Sequence, residues 1–275
     1  MAERIEVGLV YPELLGTYGD RGNAEVLAWR AARHGLAAEV AVVPAGEPVP
    51  PCLDVYVLGG GEDAAQAIAA GLLRSTAGDG LRRAVDQGRV VLAVCGAFQL
   101  LGRVYHDGRG REIRGLGLLD LETAAGGPRL VGEVVTVSRE GELLTGFENH
   151  GGRSVLGPGV EPLGRVVRGG GNNGRDATEG ARQGAVLGTY LHGPVLARNP
   201  ALADLLLRQA LERRGRRLGP LQAVGRDRAA DLHLARLRAV LSRWAPGRTR
   251  WEAPLHRRPR SPGPARRTGG GPARG

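Results

Sequence analysis

The sequence predicts an α/β fold with a mainly parallel central sheet flanked by helices. Four short apolar runs, at residues 6–11, 40–43, 55–58 and 90–94, have the length of buried strands. Runs that are apolar throughout, rather than alternating, are typical of parallel strands covered on both faces. Helical patterns separate most of them, and strands that alternate with helices indicate βαβ units. In such folds, functional sites gather beyond the carboxyl ends of the strands.

The predicted helices lie between these strands and after the last of them. Apolar residues recur there at helical spacing, and Gly102 ends one of the patterns. We expect helices at about residues 24–33, 63–73, 80–87, 97–101, 200–214 and 226–242.

The middle of the chain has a different composition. Residues 115–155 are richer in Val, Thr and Gly, which favours strands that run antiparallel at one side of the sheet. Residues 169–184 are expected to form a glycine-rich loop, and residues 185–190 a last strand that leads to His192.

The net charge of +10 belongs mostly to the C-terminal segment. Residues 246–275 contain eight arginines and one acid, Glu252, so they carry +7 of that charge. Because this segment is rich in Pro, Gly and Arg and poor in residues that build a core, we expect a disordered tail. Residues 1–245 are expected to form one domain that binds no nucleic acid. A tail that binds RNA or touches a membrane is the alternative.

All 38 basic residues are arginines. Without lysine there is no GxxxxGK[ST] phosphate loop, no lysine Schiff base and no lysine general base. We therefore expect no cofactor in this chain, and we assign any ATP-dependent step to another chain.

The two cysteines, Cys52 and Cys95, are far apart and lack CxxC spacing, which argues against a disulfide framework and a metal site. The first residues lack the pattern of a signal peptide, and no run approaches the roughly 20 apolar residues of a membrane span. We expect a cytoplasmic protein without membrane insertion.

Cys95 follows the clearest strand pattern and directly precedes a helical one. A tight strand-to-helix turn holds a nucleophile clear of the backbone, beside a helix N-terminus that favours the thiolate. The N–H of Gly96 can then face a tetrahedral oxyanion, and we expect Gly60, in the glycine turn after residues 55–58, to be the second donor. A buried structural cysteine is the alternative reading.

A cysteine nucleophile needs a base, because a free thiol is only slightly ionised at neutral pH. Among the six histidines, His192 stands just past the last predicted strand, at the same edge of the sheet as Cys95. His150 is the rival. Position favours His192, although a lone histidine can also be structural or solvated.

Five motifs follow one another within residues 5–207, and together they carry a family resemblance. They are Tyr18-Gly19-Asp20-Arg21-Gly22-Asn23, the glycine turn at 58–61, Val94-Cys95-Gly96-Ala97-Phe98-Gln99, Phe147-Glu148-Asn149-His150 and Gly188-Thr189-Tyr190-Leu191-His192-Gly193. With these motifs the chain resembles the class I glutamine amidotransferases of the cobyric acid synthase type. Within that family it is most similar to the glutaminase subunits of lipid II isoglutaminyl synthase.

The resemblance implies that Cys95 and His192 hydrolyse glutamine to glutamate and ammonia. It also implies that Arg129 holds the glutamine carboxylate, a task that suits a guanidinium fork, and that Gln99 lines the same pocket. A surface arginine and a helix-surface glutamine are the alternatives.

The resemblance further implies a heterodimer with a MurT-like Mur ligase subunit. That partner would use ATP and the ammonia to amidate the D-glutamate α-carboxyl of lipid II in peptidoglycan synthesis. Two other functions stay open: ammonia delivery to another acceptor such as a corrin, and a non-catalytic binding protein with this fold.

The sequence departs from many class I amidotransferases at Pro194, where a glutamate would follow the histidine by two residues. The resemblance implies that the partner supplies the missing acid across the interface. Asp20 and Glu148 are candidates within the chain, with capping or loop hydrogen bonding as their alternative roles.

Overall fold

The computed structural model describes residues 3–222 and 227–242. The strands are β1 (Arg4–Val10), β2 (Ala37–Val43), β3 (Val55–Leu58), β4 (Val90–Val94), β5 (Val104–His106), β6 (Glu112–Arg114), β7 (Leu121–Ser138), β8 (Leu143–Leu156), β9 (Gly164–Arg168), β10 (Thr178–Glu179), β11 (Ala181–Gln183) and β12 (Val186–Thr189). The helices are α1 (Arg21–Arg33), α2 (Asp63–Arg74), α3 (Asp79–Asp86), α4 (Gly96–Leu101), α5 (Val195–Arg198), α6 (Pro200–Glu212) and α7 (Arg228–Leu241), with a 3-10 turn at Thr76–Gly78.

The chain divides into two units, of which the first comprises residues 1–244 and contains every described residue. The expected domain of residues 1–245 ends at nearly the same position. The expected disordered tail, residues 246–275, lies outside the described residues.

The first sheet is the predicted central sheet. Its strand order is β11-β12-β4-β3-β1-β2, and every neighbouring pair is parallel except β11 with β12. All residues of β3 and β4 are buried, as their uninterrupted apolar sequences require. Helix α1 contacts β1, β2 and β3, whereas α4 contacts β4 and β12. The α/β prediction with a mainly parallel sheet is confirmed.

The second sheet corrects the expectation for the middle of the chain. Its order is β10-β9-β7-β5-β6, with β8 paired to β7. Strands β7 and β8 are antiparallel along almost their whole length, with an irregularity between Ala125 and Leu130. The predicted antiparallel strands therefore exist, but they form a separate sheet, because β7 pairs with β5, β8 and β9 and with no strand of the first sheet.

The expected loop at residues 169–184 is only partly a loop. It contains β10, which pairs with β9, and β11, which extends the first sheet as its antiparallel edge. These strands have two and three residues. β10 depends on β9, which lies across a loop from it, whereas β11 forms a short hairpin with the next strand, β12. Both are too short to show the alternation of a strand in the sequence.

An ion-pair cluster joins three of the helices. The buried guanidinium of Arg30 in α1 contacts the carboxylate of Asp204 in α6 and that of Asp227. Asp227 also caps α7, because its carboxylate accepts the backbone N–H of Ala229 and of Ala230. This capping explains why α7 begins at Arg228, two residues later than expected.

No helix within residues 3–222 or 227–242 is long and apolar enough to cross a membrane.

Candidate active site

Cys95 lies at the turn between β4 and α4, at the carboxyl edge of the first sheet. Its backbone has φ 50° and ψ −102°, a conformation that non-glycine residues rarely adopt and that costs free energy. The turn is held from both sides, because the Cys95 N–H donates to Thr189 O at 2.8 Å and Cys95 O accepts the Gln99 N–H at 3.0 Å. This is the geometry of a nucleophile elbow, with the thiol 8% exposed at the sheet edge.

Gly96, one residue further, is confined by its neighbours. A Cβ at this position would lie 2.1 Å from Gln66 Nε2 and 3.0 Å from Gly61 N, so no larger residue fits without movement. Gln66 is buried in α2 and donates to Gln99 Oε1 at 3.2 Å. Gln99 in turn donates to the Tyr190 hydroxyl at 3.1 Å. Gln66 was not predicted as a site residue, because nothing in the sequence pattern of α2 relates it to Cys95.

His192 lies near Cys95, in the segment that follows β12. Both side chains lie against the backbone of Gly60. A Cβ on this glycine would be 3.2 Å from His192 Cε1 and 3.4 Å from Cys95 Cβ, so the two side chains are neighbours. The imidazole is 3% exposed and packs against the Tyr18 ring, with 4.9 Å between ring centroids. The structure thus brings together the two side chains that the sequence nominated as nucleophile and base.

The electrostatics of His192 favour the charged ring. Burial lowers the pKa of His192, but the nearby Asp20 carboxylate and Cys95 thiol raise it by more, to about 9. The distance from His192 Nδ1 to Asp20 Oδ1 is 3.7 Å. A ring that holds a proton at neutral pH suits a thiolate neighbour, the form in which cysteine attacks.

The expected oxyanion donor Gly60 is engaged elsewhere. Its N–H donates to Asp20 Oδ2 at 2.7 Å, so it is not free to meet an oxyanion. The next residue, Gly61, lines the Cys95 pocket, and its N–H has no hydrogen-bond partner within the described part of the chain. We therefore correct the donor from Gly60 to Gly61, with Gly96 retained. Spacing alone could not decide between the glycines, because peptide orientation in the turn depends on Asp20.

A pocket of about 400 Å³ opens beside Cys95, a volume suited to an amino acid. Gln99 and Arg129, both expected to face glutamine, line it. The Arg129 guanidinium is held in place by Asn149, to whose Oδ1 and backbone oxygen it donates at 3.1 and 2.9 Å. Asn149 also donates to the Tyr18 hydroxyl at 3.1 Å. Tyr18 and Asn149 belong to two of the five motifs, but neither was predicted from the sequence to have these roles.

The rival histidine, His150, has a structural environment. Its ring stacks on Tyr190 at 3.6 Å, and its Nδ1 lies 2.9 Å from Gly152 O. Burial lowers the pKa of His150. The neighbouring Glu148 carboxylate accepts the N–H groups of Gly170 and Gly171 at 2.8 and 3.0 Å, so it anchors the glycine-rich segment. Although His150 borders the pocket, its ring is committed to this packing.

Two other features of the described residues carry no comparable chemistry. A surface depression of about 630 Å³ is lined by Arg139, Glu161 and Arg182 and contains no nucleophile. Residues 3–222 and 227–242 contain no group of His, Cys, Asp or Glu side chains arranged to hold a metal ion. Cys52 is exposed, lies in a turn directly after Pro50 and Pro51, and does not line the Cys95 pocket.

A strained cysteine at a strand-to-helix turn, with a buried histidine beside it, defines a cysteine-nucleophile enzyme of the class I amidotransferase fold. The sequence profile of the CobB/CobQ-like glutamine amidotransferase domain matches residues 6–200, and the chain belongs to that family. It is a glutamine amidotransferase, and the family resemblance predicted from the five motifs is confirmed.

Two similar proteins share the name "Lipid II isoglutaminyl synthase (glutamine-hydrolyzing) subunit GatD". The chain is 39% identical to that of Staphylococcus aureus (strain N315) over 203 residues, 73% of this chain and 82% of the relative. It is 36% identical to that of Streptococcus pneumoniae over 214 residues, 77% of this chain and 82% of the relative. The cobyric acid synthase of Methylorubrum populi is 37% identical over 168 residues, which cover 58% of this chain and 33% of that enzyme.

Proposed function

We propose that this chain is the glutaminase subunit of a lipid II isoglutaminyl synthase. It hydrolyses glutamine and passes the ammonia to a MurT-like Mur ligase subunit, which amidates the D-glutamate α-carboxyl of lipid II. The observation that carries the proposal is the Cys95–His192 pair beside a pocket with a fixed guanidinium, in a chain similar to GatD proteins over 82% of their length.

The reaction begins when Cys95 Sγ attacks the side-chain amide carbon of glutamine. The proton of the thiol is held by His192, so Sγ attacks as the thiolate, and a tetrahedral oxyanion forms. His192 then protonates the leaving nitrogen, the C–N bond breaks, and ammonia departs from a thioester. Water attacks the thioester, its proton returns to His192, and release of Sγ gives glutamate.

The surrounding groups bind the substrate and stabilise the oxyanion. The N–H groups of Gly61 and Gly96 are the proposed donors to the oxyanion; Gly96 is buried and Gly61 is half-buried at the pocket. Arg129 is the proposed partner of the glutamine α-carboxylate, and Asn149 holds its fork in place before substrate arrives. Gln99 is the proposed polar wall of the pocket.

We further propose that this chain uses no cofactor and that the partner binds ATP. The absence of lysine from the sequence supports this division, since it excludes a P-loop lysine here. We place the heterodimer in the cytoplasm, where the free thiol of Cys95 stays reduced.

The test is to co-purify the chain with its MurT-like partner and to measure glutamate release and ATP-dependent amidation of lipid II. We expect both activities in the complex, and we expect Cys95→Ala to abolish both with glutamine while leaving amidation from added ammonium. Cys52→Ser is the matched control and should retain both. Glutamine hydrolysis without lipid II amidation would point to another acceptor, and no hydrolysis under any condition would contradict the proposal.

A further inference from the structure

The segment that carries His192 packs against residues 18–23, which are a short turn and the first three residues of α1. Asn23 Oδ1 accepts the N–H of Leu196 at 3.0 Å, and the Tyr18 ring packs on the imidazole. Gly22 leaves room for Pro194, because a Cβ there would be 2.6 Å from Pro194 Cγ. Pro194 stands where many class I enzymes have a glutamate. Its ring therefore packs closely against Gly22, at the start of α1.

Asp20, which directly precedes α1, is the only acid within residues 3–222 and 227–242 that pairs with His192. It is fully buried, and its Oδ1 lies 3.7 Å from His192 Nδ1. Neither of these two atoms has a hydrogen bond of good geometry in the described residues. Buried polar atoms without partners cost free energy, so a short approach that joins them is favourable.

The other oxygen of Asp20 fixes the carboxylate. Oδ2 accepts the Gly60 N–H at 2.7 Å, and a Cβ on Gly59 would lie 2.6 Å from Asp20 Cβ, so the side chain has little room to rotate. The carboxylate therefore links the His192 ring to the glycine turn whose next residue, Gly61, is the proposed oxyanion donor.

We propose that Asp20 is the positioning acid of this active site, which completes the Cys95–His192 pair from within the chain. Asp20 accepts a hydrogen bond from His192 Nδ1–H, and this selects the tautomer whose Nε2 exchanges a proton with Cys95. The carboxylate orients the imidazole, as the acid of a catalytic triad does. This inference rests on the proposed glutaminase function and differs from the expectation that the partner supplies the acid.

The rival acid within the chain is occupied. Glu148 accepts two backbone N–H groups and its nearest imidazole is that of His150, 3.7 Å from Oε2 to Nε2. The charged and titratable groups that face His192 are Asp20 and Cys95, with the Tyr18 ring beside them.

The test compares Asp20→Asn with Glu148→Gln and Asp107→Asn, all in a Cys52→Ser background. Asp107 is a matched control, because it is a buried carboxylate that accepts backbone N–H groups, those of Arg109 and Arg111, and its ion pair is with Arg111 rather than with His192. Asn at position 20 is isosteric and keeps an acceptor for Gly60, but its amide would donate to Nδ1 and select the wrong tautomer.

Two measurements are made on each variant in the complex and in the isolated chain. The first is kcat and KM for glutamine hydrolysis, where we expect Asp20→Asn to lower kcat on the order of 100-fold or more with KM almost unchanged. The second is the rate of Cys95 alkylation by iodoacetamide against pH, which needs neither glutamine nor partner. We expect Asp20→Asn to move the alkylation profile to higher pH and the two controls to leave it in place.

Three outcomes would overturn the proposal. The first is an alkylation–pH profile of Asp20→Asn equal to that of Asp107→Asn. The second is a kcat of Asp20→Asn that the partner restores to the parent level. The third is a shift of the alkylation profile in Glu148→Gln instead of in Asp20→Asn. If Asp20→Asn does not fold, 15N-histidine NMR of the parent protein decides: a His192 Nδ1 signal without a hydrogen-bonded proton contradicts the proposal. A parent complex that hydrolyses no glutamine would refute the proposed function, while alkylation would still report on Asp20.

Discussion

Phe147 and His192 exchange two backbone hydrogen bonds, from Phe147 N–H to His192 O at 3.1 Å and from His192 N–H to Phe147 O at 2.9 Å. Phe147 belongs to β8 in the second sheet, whereas His192 follows β12 in the first. The bridge therefore fixes the backbone of the proposed base by a strand that is otherwise paired only with β7. The second sheet is thus part of the active site, because it holds His192 in place.

Removal of one hydrogen bond of this bridge should displace His192. Phe147→Pro removes the N–H that donates to His192 O. Because β8 is an edge strand, proline is tolerated at this position. We expect kcat for glutamine hydrolysis to fall roughly 10- to 100-fold, because small misplacements of catalytic groups are costly. Phe147→Ala, which keeps the N–H, is the control. Equal kcat values for the two variants would show that the bridge does not position His192.

Gly96→Ala should impair the nucleophile turn. The new methyl group would collide with Gln66 Nε2, the buried partner of Gln99, and press on Gly61 N. We expect at least a tenfold loss of glutaminase activity and about 1–3 kcal/mol of destabilisation from overpacking. Gly71→Ala in α2 is the control, since a Cβ there meets no atom within 4 Å, and it should be neutral or slightly stabilising. Steady-state kinetics and urea unfolding measure both effects, and an active Gly96→Ala enzyme would refute the packing argument.

Arg129 is expected to act on substrate binding rather than on chemistry. Arg129→Lys removes the guanidinium fork that Asn149 holds in place. KM for glutamine should therefore rise roughly 10- to 100-fold, which corresponds to the free energy of one charge-assisted hydrogen bond, and kcat should change less. Arg139→Lys is the control, because Arg139 pairs with Glu161 outside the pocket. A KM that matches the control would remove Arg129 from the site.

Glu179 should make the stability of the protein depend on pH. The side chain is buried, with Oε1 accepting the Thr189 hydroxyl and the Tyr190 N–H, and burial raises the pKa of Glu179 to about 7. Between about pH 4.5 and 7 the unfolded chain has lost this proton while the folded chain keeps it. The free energy of unfolding therefore falls as the pH rises through that window, and it stays reduced above it.

Glu179→Gln keeps the Oε1 acceptor and carries no charge. At pH 8 it should unfold with a free energy greater than that of the parent by up to about 3 kcal/mol, and at pH 4.5 the two should be alike. Urea unfolding at the two pH values measures this difference. Glu122→Gln, at an exposed position in β7, is the control. The control should lose as much stability as the parent between the two pH values. If Glu179→Gln also loses as much as the parent, the assignment is wrong.

The parts of the fold that local sequence could predict are those made by uninterrupted apolar segments. Strands β3 and β4 have the bounds expected from their sequences, and α4 ends at Leu101, just before Gly102. The separate second sheet and the short strand β10 were not predicted, because they depend on pairing between segments that are separated along the chain. Strand β11 forms a local hairpin with β12 but is too short to show a strand pattern.

The sequence by itself determined the family and predicted Cys95 and His192 as nucleophile and base. It also identified residues 18–23 as a family motif, because residue types in a fixed order carry that information. Only the tertiary structure decided that Gly61 rather than Gly60 presents a free N–H, and that Asp20 lies beside His192 where Pro194 stands in place of an acid. Hydrogen-bond partners are chosen by the orientation of peptides and side chains in three dimensions. A sequence orders the candidates along the chain, and the folded contacts select among them.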